Sequence, residues 1–440
     1  MKKILFVSLG CDKNLVDSEQ MIGLLAEQGY AFIDDETQAD AIIINTCSFI
    51  HDAKEESIET ILTLAEQKKT GKCRALIVTG CLAQRYYEEM QEEIPEVDAI
   101  IGTTAFDEIV DVVEETLKGG HRMVKKDIDR LTYLTGHRYV TTGGHFAYLK
   151  IAEGCNKRCT YCIIPRIRGN YRSVPMENLL DDARRLASQG VKELILVAQE
   201  TTVYGVDLYG EKRLPELLRK LCEIPELVWI RILYCYPEEI TNELIAVMKE
   251  EKKICHYLDL PIQHASDAVL KRMGRRTSKK ELKEIILKLR TEIPDICIRT
   301  TLITGFPGET QEDHRAVMEF VDEMGFDRLG VFTYSPEEGT AAEQFEDQID
   351  EDTKEERRSE IMELQQEIAF EKAEAMKGRE LEAFVEGSVT GEDVYVARTY
   401  KDAPNVDGLI FIHTDAELMT GDMAKVRVTG AYEYDLIGEM

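Results

Sequence analysis

The sequence predicts a multidomain α/β protein with an N-terminal parallel α/β domain, a central full or partial (β/α)6 barrel and a small antiparallel C-terminal β-barrel. Three observations lead to this fold class. The chain has 440 residues, which is more than one ordinary domain. Short apolar runs alternate with helical patterns as far as about residue 350. Beyond residue 378 the pattern becomes all-β, with glycine-containing turns.

The first predicted domain, residues 1–102, contains three apolar runs typical of buried parallel strands. The strands are Ile4–Ser8, Ala41–Asn45 and Ala75–Thr79, and the helices expected between them are Asp17–Gln28 and Lys54–Gln67. Residues 103–144 have a weaker pattern and end in Thr-Thr-Gly-Gly, so they are predicted to be a linker.

The second predicted domain, residues 145–350, repeats a strand–helix unit. The strand candidates are Phe146–Ile151, Glu193–Ala198, Val228–Tyr234, Tyr257–Ile262, Cys297–Ile303 and Arg328–Tyr334. Helical patterns separate them at about 177–189, 214–223, 238–249, 278–290 and 311–324. In a (β/α) barrel the reactive groups lie at the C-terminal ends of the strands, so a site is expected there.

A charged connecting helix, residues 351–377, leads to the third predicted domain, residues 378–440. Its strand candidates are Leu381–Val389, Val394–Thr399, Leu409–His413 and Ala424–Val428. This length and pattern predict a small β-barrel. The domain has 13 acidic and 5 basic residues, a net charge of −8.

Composition and charge limit the classes of function. The whole chain has a net charge of −29, which disfavours general binding to nucleic acid or anionic membranes and favours a basic partner. No apolar run is long enough to span a membrane, and the apolar run after Met1-Lys2-Lys3 is too short for a signal peptide. We therefore expect a cytoplasmic protein, in which eleven cysteines indicate metal or redox chemistry rather than disulfides.

The strongest local signal is a C-x₃-C-x₂-C loop formed by Cys155, Cys159 and Cys162. Three thiolates on one loop can hold three corners of a [4Fe–4S] cubane, which normally takes four cysteines. The next cysteine is Cys222, so one iron would stay open to a substrate or cofactor. The nearby basic residues, expected to offset the cluster charge and attract a carboxylate, are Lys157, Arg158, Arg166 and Arg168. Structural zinc is the alternative, but no second ligand pair follows.

A second set of cysteines is distributed along the first domain. Cys11, Cys47 and Cys81 each follow a predicted strand within a few residues, and the C-terminal ends of parallel strands share one edge of a sheet. We expect them to hold a second three-ligand cluster with an open iron; isolated buried cysteines are the alternative. Cys73 precedes its strand and is excluded.

The C-x₃-C-x₂-C loop with Tyr161 before its last cysteine, opening a (β/α) series, resembles the radical S-adenosylmethionine (SAM) superfamily. This resemblance implies that SAM binds the open iron through its amino and carboxylate groups. It also implies that reductive cleavage of SAM yields a 5′-deoxyadenosyl radical that abstracts hydrogen from a C–H bond. The residues that fit a SAM pocket are Tyr161 of the loop and, at the strand ends, Gln199, Glu200, Arg231, Gln263, Gly305 and Tyr334. For each strand-end residue alone, a turn or a satisfied polar group is the alternative.

The three-domain arrangement resembles the methylthiotransferase family along nearly the whole chain, with a C-terminal domain similar to TRAM domains. The segments Ser8–Glu19 (SLGCDKNLVDSE) and Ala397–Gly408 (ARTYKDAPNVDG) are similar to the RimO branch, although proline is frequent where this chain has Asp12. That branch methylthiolates the β-carbon of an aspartate in the basic small-subunit ribosomal protein 12. The resemblance implies two [4Fe–4S] clusters, one SAM that donates methyl and a second that gives the radical. No side chain is assigned as a general base.

Two other functions remain open from the sequence. One is the sister activity on a tRNA adenosine, which the acidic last domain disfavours because tRNA requires a basic face. A patch of Arg379, Arg398, Lys401, Lys425 and Arg427 would favour it. The other is a non-catalytic module with structural zinc. For the enzyme we expect an external electron donor and a monomer, because no pattern indicates a coiled coil.

Overall fold

A computed structural model describes all residues, 1–440, and contains an N-terminal α/β domain, a central open barrel and a closed C-terminal barrel. The strands of the N-terminal sheet are β1 (Lys3–Ser8), β2 (Ala31–Phe32), β3 (Ala41–Thr46), β4 (Ala75–Gly80), β5 (Ala99–Ile101) and β6 (Arg122–Val124). They are all parallel, in the order β2-β1-β3-β4-β5-β6. None of the helices is both long and apolar enough to cross a bilayer.

The helices of this domain pack on both faces of its sheet. They are α1 (Asp12–Glu27), α2 (His51–Ala65), α3 (Gln67–Thr70), α4 (Cys81–Arg85), α5 (Tyr87–Glu93) and α6 (Ile109–Thr116). Two separate apolar clusters, one containing Ile43 and Ile77 and the other Ile42 and Ile44, form because alternate strand residues point to opposite faces. The first helix starts five residues before the predicted Asp17, immediately after Cys11.

The register of the central strands aligns their C-terminal ends. Ser8 of β1 lies opposite Asn45 of β3, and Asn45 lies opposite Thr79 of β4. Each of these three aligned residues is therefore followed, within three positions in the chain, by one cysteine of the predicted N-terminal set. This edge of the sheet faces the central barrel.

The central domain is a six-stranded parallel sheet in the order β14-β13-β12-β11-β10-β7, so the barrel is partial. Its strands are β7 (Phe146–Lys150), β10 (Glu193–Val197), β11 (Trp229–Ile232), β12 (Ile254–Asp259), β13 (Cys297–Thr304) and β14 (Arg328–Thr333). A short antiparallel pair, β8 (Ala152–Glu153) and β9 (Arg172–Ser173), brackets the cysteine loop. The fourth strand begins and ends three residues earlier than its predicted range of Tyr257–Ile262.

Helices cover the outer face of the barrel sheet and bury a core of 51 residues. They are α8 (Met176–Ser188), α9 (Val206–Tyr209), α10 (Leu214–Cys222), α11 (Asn242–Glu250), α12 (Asp267–Arg272), α13 (Lys279–Glu292) and α14 (Gln311–Met324). The short helix α7 (Ile164–Ile167) instead contacts α4 of the N-terminal domain. The amphipathic pattern of α8 and α10 explains this packing, because their leucines recur at helical spacing on one face.

The predicted linker, residues 103–144, is divided between two structural roles. Its first part contains α6 and β6, and β6 extends the N-terminal sheet by pairing with β5. The remaining segment is irregular and follows the surface between the first two domains, where Asp129 binds Asn170 and Tyr133 binds Asp182. The short strand β6 was missed because it is a three-residue edge strand with little apolar signal.

The connecting helix α15 (Glu351–Glu374) packs against α14 and β14 and leads into the closed C-terminal barrel. Its strands are β15 (Glu380–Ser388), β16 (Val394–Thr399), β17 (Ile410–His413), β18 (Met423–Tyr432) and β19 (Asp435–Glu439). The sequence did not predict β19, which closes the barrel. The barrel is antiparallel except for the pair β17–β19, which is parallel.

The C-terminal barrel lies against the N-terminal ends of the strands in the central sheet. Phe384 and Ala403 share an apolar cluster with strand-start residues that include Phe146, Trp229 and Cys297. Trp229 and Phe384 stack edge to face, with ring centroids 4.7 Å apart. The C-terminal domain thus covers one end of the barrel and leaves the opposite end, with the cysteine loop, to the N-terminal domain.

Candidate metal centres

The three N-terminal cysteines lie together at one edge of the sheet. Cys11 precedes α1, Cys47 follows β3, and Cys81 is the first residue of α4. Two glycines with positive φ permit this close approach. A Cβ on Gly10 would lie 3.0 Å from Cys47 Sγ, and one on Gly80 would lie 2.2 Å from Asn45 Oδ1. Larger residues at these positions would displace the cysteine-bearing loops.

Burial and the neighbouring thiols favour the protonated form of Cys47 and Cys81 in the absence of a metal, because they raise the pKa of each. Burial raises the pKa of Cys47 to about 12, and the neighbouring Cys81 and Cys11 raise it further. Burial also raises the pKa of Cys81, although Arg168 opposes that shift. A bound metal would displace the protons, because thiolate is the ligand form.

The barrel cysteines lie on the loop between β8 and α7. Cys155 and Cys159 are buried, and Cys162 is partly exposed. The loop folds back tightly because Gly154 has a positive φ; a Cβ there would lie 2.1 Å from the carbonyl oxygen of Asn170. Burial raises the pKa of Cys155 to about 11, with Cys159 adding to the shift and the backbone N–H of Lys157 opposing it.

The spacing within each set fits a cluster better than a single zinc ion. Tetrahedral zinc with bonds of about 2.3 Å requires sulfurs about 3.8 Å apart. Neither cysteine set has all three Sγ atoms within 4.8 Å of one another; the one group of metal-type side chains that meets this limit is the exposed His51, Asp52 and Glu55. Within each set the thiols raise one another's pKa values, so each set is a group of neighbouring sulfurs that do not close around one ion. Three such sulfurs are the ligand type that a [4Fe–4S] cubane uses.

A buried network of four charged groups connects the two cysteine sets. Lys150 and Arg168 both bind the carboxylates of Asp17 and Glu153. Arg168 Nε lies 3.4 Å from Cys81 Sγ on one side, and Glu153 accepts from the backbone N–H of Gly154, next to Cys155, on the other. Arg168 was expected to offset charge at its own loop, but its side chain reaches the cysteines of the other domain.

Two predicted pocket residues carry unpaired buried oxygens at the end of β10. Gln199 donates to Glu153 at 2.7 Å, and its own Oε1 has no partner. Glu200 binds the backbone N–H of Thr202, while its Oε2 accepts no hydrogen bond and lies 3.7 Å from Lys157 Nζ. Burial raises the pKa of Glu200 to about 7, against the opposing effects of Thr202 and Lys157. These oxygens are available to accept hydrogen bonds from a ligand that brings N–H donors.

Three of the other predicted pocket residues lie at the same end of the barrel. Tyr161 and Tyr334 pack edge to face on Phe306, with ring centroids 6.4 and 5.2 Å apart. The hydroxyl of Tyr334 is buried without a partner, and burial raises its pKa to about 12. Gln263 has a φ of 71°, an uncommon conformation for a residue other than glycine.

Two of the predicted pocket residues serve other contacts. The side chain of Arg231 is fully buried and binds Glu193 and the carbonyl oxygen of Tyr400, so it joins the barrel to the C-terminal domain. The prediction placed Arg231 at the end of β11, but its side chain points to the inner face and away from the cysteine loop. Gly305 leaves room for Lys354 of α15, since a Cβ there would lie 2.2 Å from Lys354 Cγ.

Sequence reasoning missed a contact between α1 and the barrel beside Cys11. Lys13 Nζ lies 3.2 Å from the ring centroid of Tyr234, whose hydroxyl donates to Asp12 at 3.2 Å. Tyr234 has a φ of 59°, which aims its side chain from the end of β11 toward the N-terminal domain. The position of Tyr234 after a predicted strand was visible in the sequence, but its partner was not.

Three family models match successive parts of the chain. They are the uncharacterized protein family UPF0004 at residues 3–102, the radical SAM superfamily at residues 149–321 and the TRAM domain at residues 378–440. Together they match each of the three folded domains described above.

Curated relatives match over the full length. A protein of Lachnoclostridium phytofermentans named ribosomal protein uS12 methylthiotransferase RimO is 62% identical over 436 residues, covering 99% of both chains. Proteins of the same name from Clostridium botulinum and Clostridioides difficile are 51% and 48% identical. They cover 99% and 100% of this chain, and 97% and 99% of their own lengths.

Solved structures share the fold at low sequence identity. The radical SAM methyltransferase TsrM from Kitasatospora setae, with cobalamin and a [4Fe–4S] cluster bound, is 14% identical with a TM-score of 0.57. That match covers 78% of this chain and 77% of TsrM. The cobalamin-dependent SAM radical enzyme OxsB is 13% identical with a TM-score of 0.51, covering 82% of this chain and 56% of OxsB.

Proposed function

Because this chain belongs to the RimO family of ribosomal protein uS12 methylthiotransferases, we propose that it adds a methylthio group to the β-carbon of an aspartate in uS12. It is a transferase of the radical SAM superfamily, with an iron–sulfur cluster and SAM as cofactors. The name of the relatives gives uS12 as their substrate, and the choice of an aspartate β-carbon is inferred from the family resemblance.

The proposal rests on one observation. The two three-cysteine sets lie on opposite sides of one domain interface and are connected across it by buried side chains. Insertion of sulfur at a C–H bond needs a radical to remove hydrogen and a methylthio group within reach of the carbon radical. Cys81 of the first set and Gly154, which precedes Cys155 of the second, are joined by Arg168 and Glu153. Two centres held this way would place both halves of the reaction in one enclosed space.

We propose that each set holds one [4Fe–4S] cluster and leaves one iron without a cysteine. The thiolates of Cys11, Cys47 and Cys81 would hold the first, and those of Cys155, Cys159 and Cys162 the second. When bound, the clusters and SAM supply the electron, the hydrogen-abstracting radical and the methyl group. The side chains around them hold these groups in position and exclude water.

Gln199 and Glu200 would bind the methionyl end of SAM. Their unpaired oxygens, Oε1 and Oε2, are buried, and Glu200 is near enough to Cys155 to raise the pKa of that thiol. A buried unpaired acceptor favours a ligand that brings N–H donors. Tyr161 and Tyr334 would enclose the same pocket with apolar ring surface. Tight enclosure is required because a carbon radical reacts with whatever it contacts.

The C-terminal domain favours a protein substrate over tRNA. Of the five basic residues that a tRNA patch would use, Arg398 is buried against Glu193 and Lys401 lies 3.4 Å from Asp327. Arg379, Lys425 and Arg427 remain exposed, against 13 acidic residues in the domain. Such a surface would attract a basic ribosomal protein and repel phosphates.

Iron content tests the two-cluster part of the proposal. After anaerobic reconstitution with iron and sulfide, we expect about eight iron atoms per chain, since each cubane holds four. A value near four would mean that the chain holds one cluster, and it would contradict the two-cluster proposal.

Product mass tests the substrate. The reconstituted protein is incubated with SAM, a reductant and either uS12 or tRNA, and each is examined for the gain of one methylthio group. Modified tRNA beside unmodified uS12 would contradict the proposal and support the sister activity.

We further propose an external electron donor, a monomeric enzyme and action in the cytoplasm, where the ribosomal substrate is found.

A further inference from the structure

The arginine that joins the two cysteine sets has an unusual position. Arg168 directly follows α7, the short helix after the barrel cysteine loop, yet its Nε donates a hydrogen bond to Cys81 Sγ of the N-terminal set at 3.4 Å. Arg168 is the only charged side chain that donates a hydrogen bond to any of the six cluster-type sulfurs. The barrel sulfurs contact neutral groups, the backbone N–H of Lys157 and the hydroxyl of Tyr236, each at 3.5 Å.

The guanidinium is held in place on all sides. Nη1 donates to Asp17 at 2.8 Å and to Glu153 at 3.1 Å, and Nη2 donates to Asn14. Arg168 is 2% exposed, so water does not compete for these bonds. A buried arginine whose planar fork is fixed this way cannot turn away from Cys81.

Apart from Arg168, the Sγ atom of Cys81 has one polar neighbour, Asn14 Oδ1 at 3.9 Å. Ile163 and Ile167, just before and within α7, pack on its side chain in a small separate cluster. Asp17 and Glu153 offset part of the charge of Arg168, but its Nε–H group points at the sulfur, and little solvent screens this contact. Hydrogen bonds to the sulfurs of an iron–sulfur cluster and nearby charge set its reduction potential.

We propose that Arg168 is a positioning residue that raises the reduction potential of the N-terminal cluster through its hydrogen bond to Cys81. The inference rests on the proposed function, because it requires a cluster at Cys11, Cys47 and Cys81. Reduction adds one electron and one negative charge to the cluster, and no bond forms or breaks. The N–H donor and the positive charge of Arg168 favour the reduced form.

The test uses the full-length chain with Cys155, Cys159 and Cys162 changed to alanine, which leaves only the N-terminal set. After anaerobic reconstitution, iron is measured first. The cluster is then reduced stepwise with dithionite in the presence of mediator dyes, and the reduced form is followed by electron paramagnetic resonance. The variants are Arg168→Gln, Arg168→Lys and the control Arg166→Gln, which removes an exposed arginine two residues earlier, in α7.

We expect Arg168→Gln to lower the ratio of reduced to oxidised cluster at least about tenfold at a fixed potential, equivalent to 59 mV for one electron. Arg168→Lys keeps the charge but not the planar fork, so we expect a smaller shift in the same direction. Arg166→Gln should leave the potential unchanged. If Arg168→Gln does not fold, the lysine variant decides the question.

Two results would overturn the inference, and they are distinguishable. Unchanged potentials in the Arg168 variants, with iron retained, would show that this arginine does not tune the cluster and would leave the proposed function intact. If the parent protein, with Cys155, Cys159 and Cys162 changed to alanine, bound no iron, there would be no N-terminal cluster. Both the two-cluster proposal and this inference would then be wrong.

Discussion

Glu193 of the central barrel and Arg398 of the C-terminal domain form a fully buried ion pair, with 2.8 Å between Oε2 and Nη2. The other carboxylate oxygen of Glu193 accepts from Arg231 Nε, also at 2.8 Å. Glu193 therefore lies between two buried arginines from different domains. The C-terminal barrel is fixed to the enzyme by the same arginine that the sequence offered as part of a tRNA-binding patch.

We predict that Glu193→Gln destabilises the protein strongly. It leaves Arg231 buried without a counter-charge and Arg398 with only Glu386, and removing one partner of a buried ion pair typically costs about 3–5 kcal/mol. The measurement is the free energy of unfolding from urea denaturation at neutral pH. Glu374→Gln, which breaks the exposed pair with Lys377, is the matched control and should cost less than about 1 kcal/mol. Equal effects of the two substitutions would contradict the prediction.

The same pair should make stability sensitive to acid. Burial opposes ionisation of Glu193, but Arg398 and Arg231 outweigh it and hold the pKa of this carboxyl below its usual value. The resulting stabilisation is present above the unfolded-state pKa of about 4.3 and is lost as pH falls through the folded-state value. The difference in unfolding free energy between the parent and Glu193→Gln should therefore shrink in acid, and a constant difference would count against this assignment.

Single cysteine substitutions should separate the two centres. We expect Cys47→Ala and Cys159→Ala each to lower the iron content by about four atoms per chain, because each removes one ligand of a three-cysteine site. Cys73→Ala is the control: Cys73 is equally buried but lies at the opposite end of β4. The measurement is the iron and acid-labile sulfide content per chain after anaerobic reconstitution. Loss of iron from Cys73→Ala, or none from Cys47→Ala, would refute this assignment of ligands.

Gly80→Ala should disrupt the N-terminal centre without touching a ligand. The added Cβ would lie 2.2 Å from Asn45 Oδ1 and 2.5 Å from the carbonyl oxygen of Thr46, so α4 and Cys81 must move. Gly119→Ala in the same domain is the control, since Gly119 also has a positive φ but has no atoms near the new Cβ. We expect loss of about half the iron in the first variant, as one of two cubanes is lost. Full iron content in Gly80→Ala would mean that the loop tolerates the shift.

Binding of SAM should improve as the pH rises through about 7. Burial raises the pKa of Glu200 to about 7, and the ionised carboxylate accepts a hydrogen bond from the amino group of the ligand. Between about pH 6 and pH 8 we expect roughly a tenfold gain in affinity, following the ionised fraction of Glu200. Equilibrium dialysis against SAM measures it. Glu200→Gln should remove the pH dependence, and Glu223→Gln, at an exposed carboxylate after α10, should retain it.

The sequence by itself determined the three-domain fold class and the two sets of cysteines. Both follow from local information: period-2 and helical patterns mark the elements, and ligands that lie close in the chain or just after strands are visible by their spacing. The apolar runs at β1, β3 and β4 placed Cys11, Cys47 and Cys81 at one edge because parallel strands share a direction.

The tertiary structure alone decided which side chains meet across the domains. Arg168 and Cys81 are 87 residues apart in the chain, and Glu193 and Arg398 are separated by 205. Long charged side chains such as Arg168 and Arg231 can extend several ångströms in any direction, so their positions at the ends of elements did not reveal their partners. Those partners were fixed by how the domains pack, since buried charges must find opposite charges wherever the interface places them.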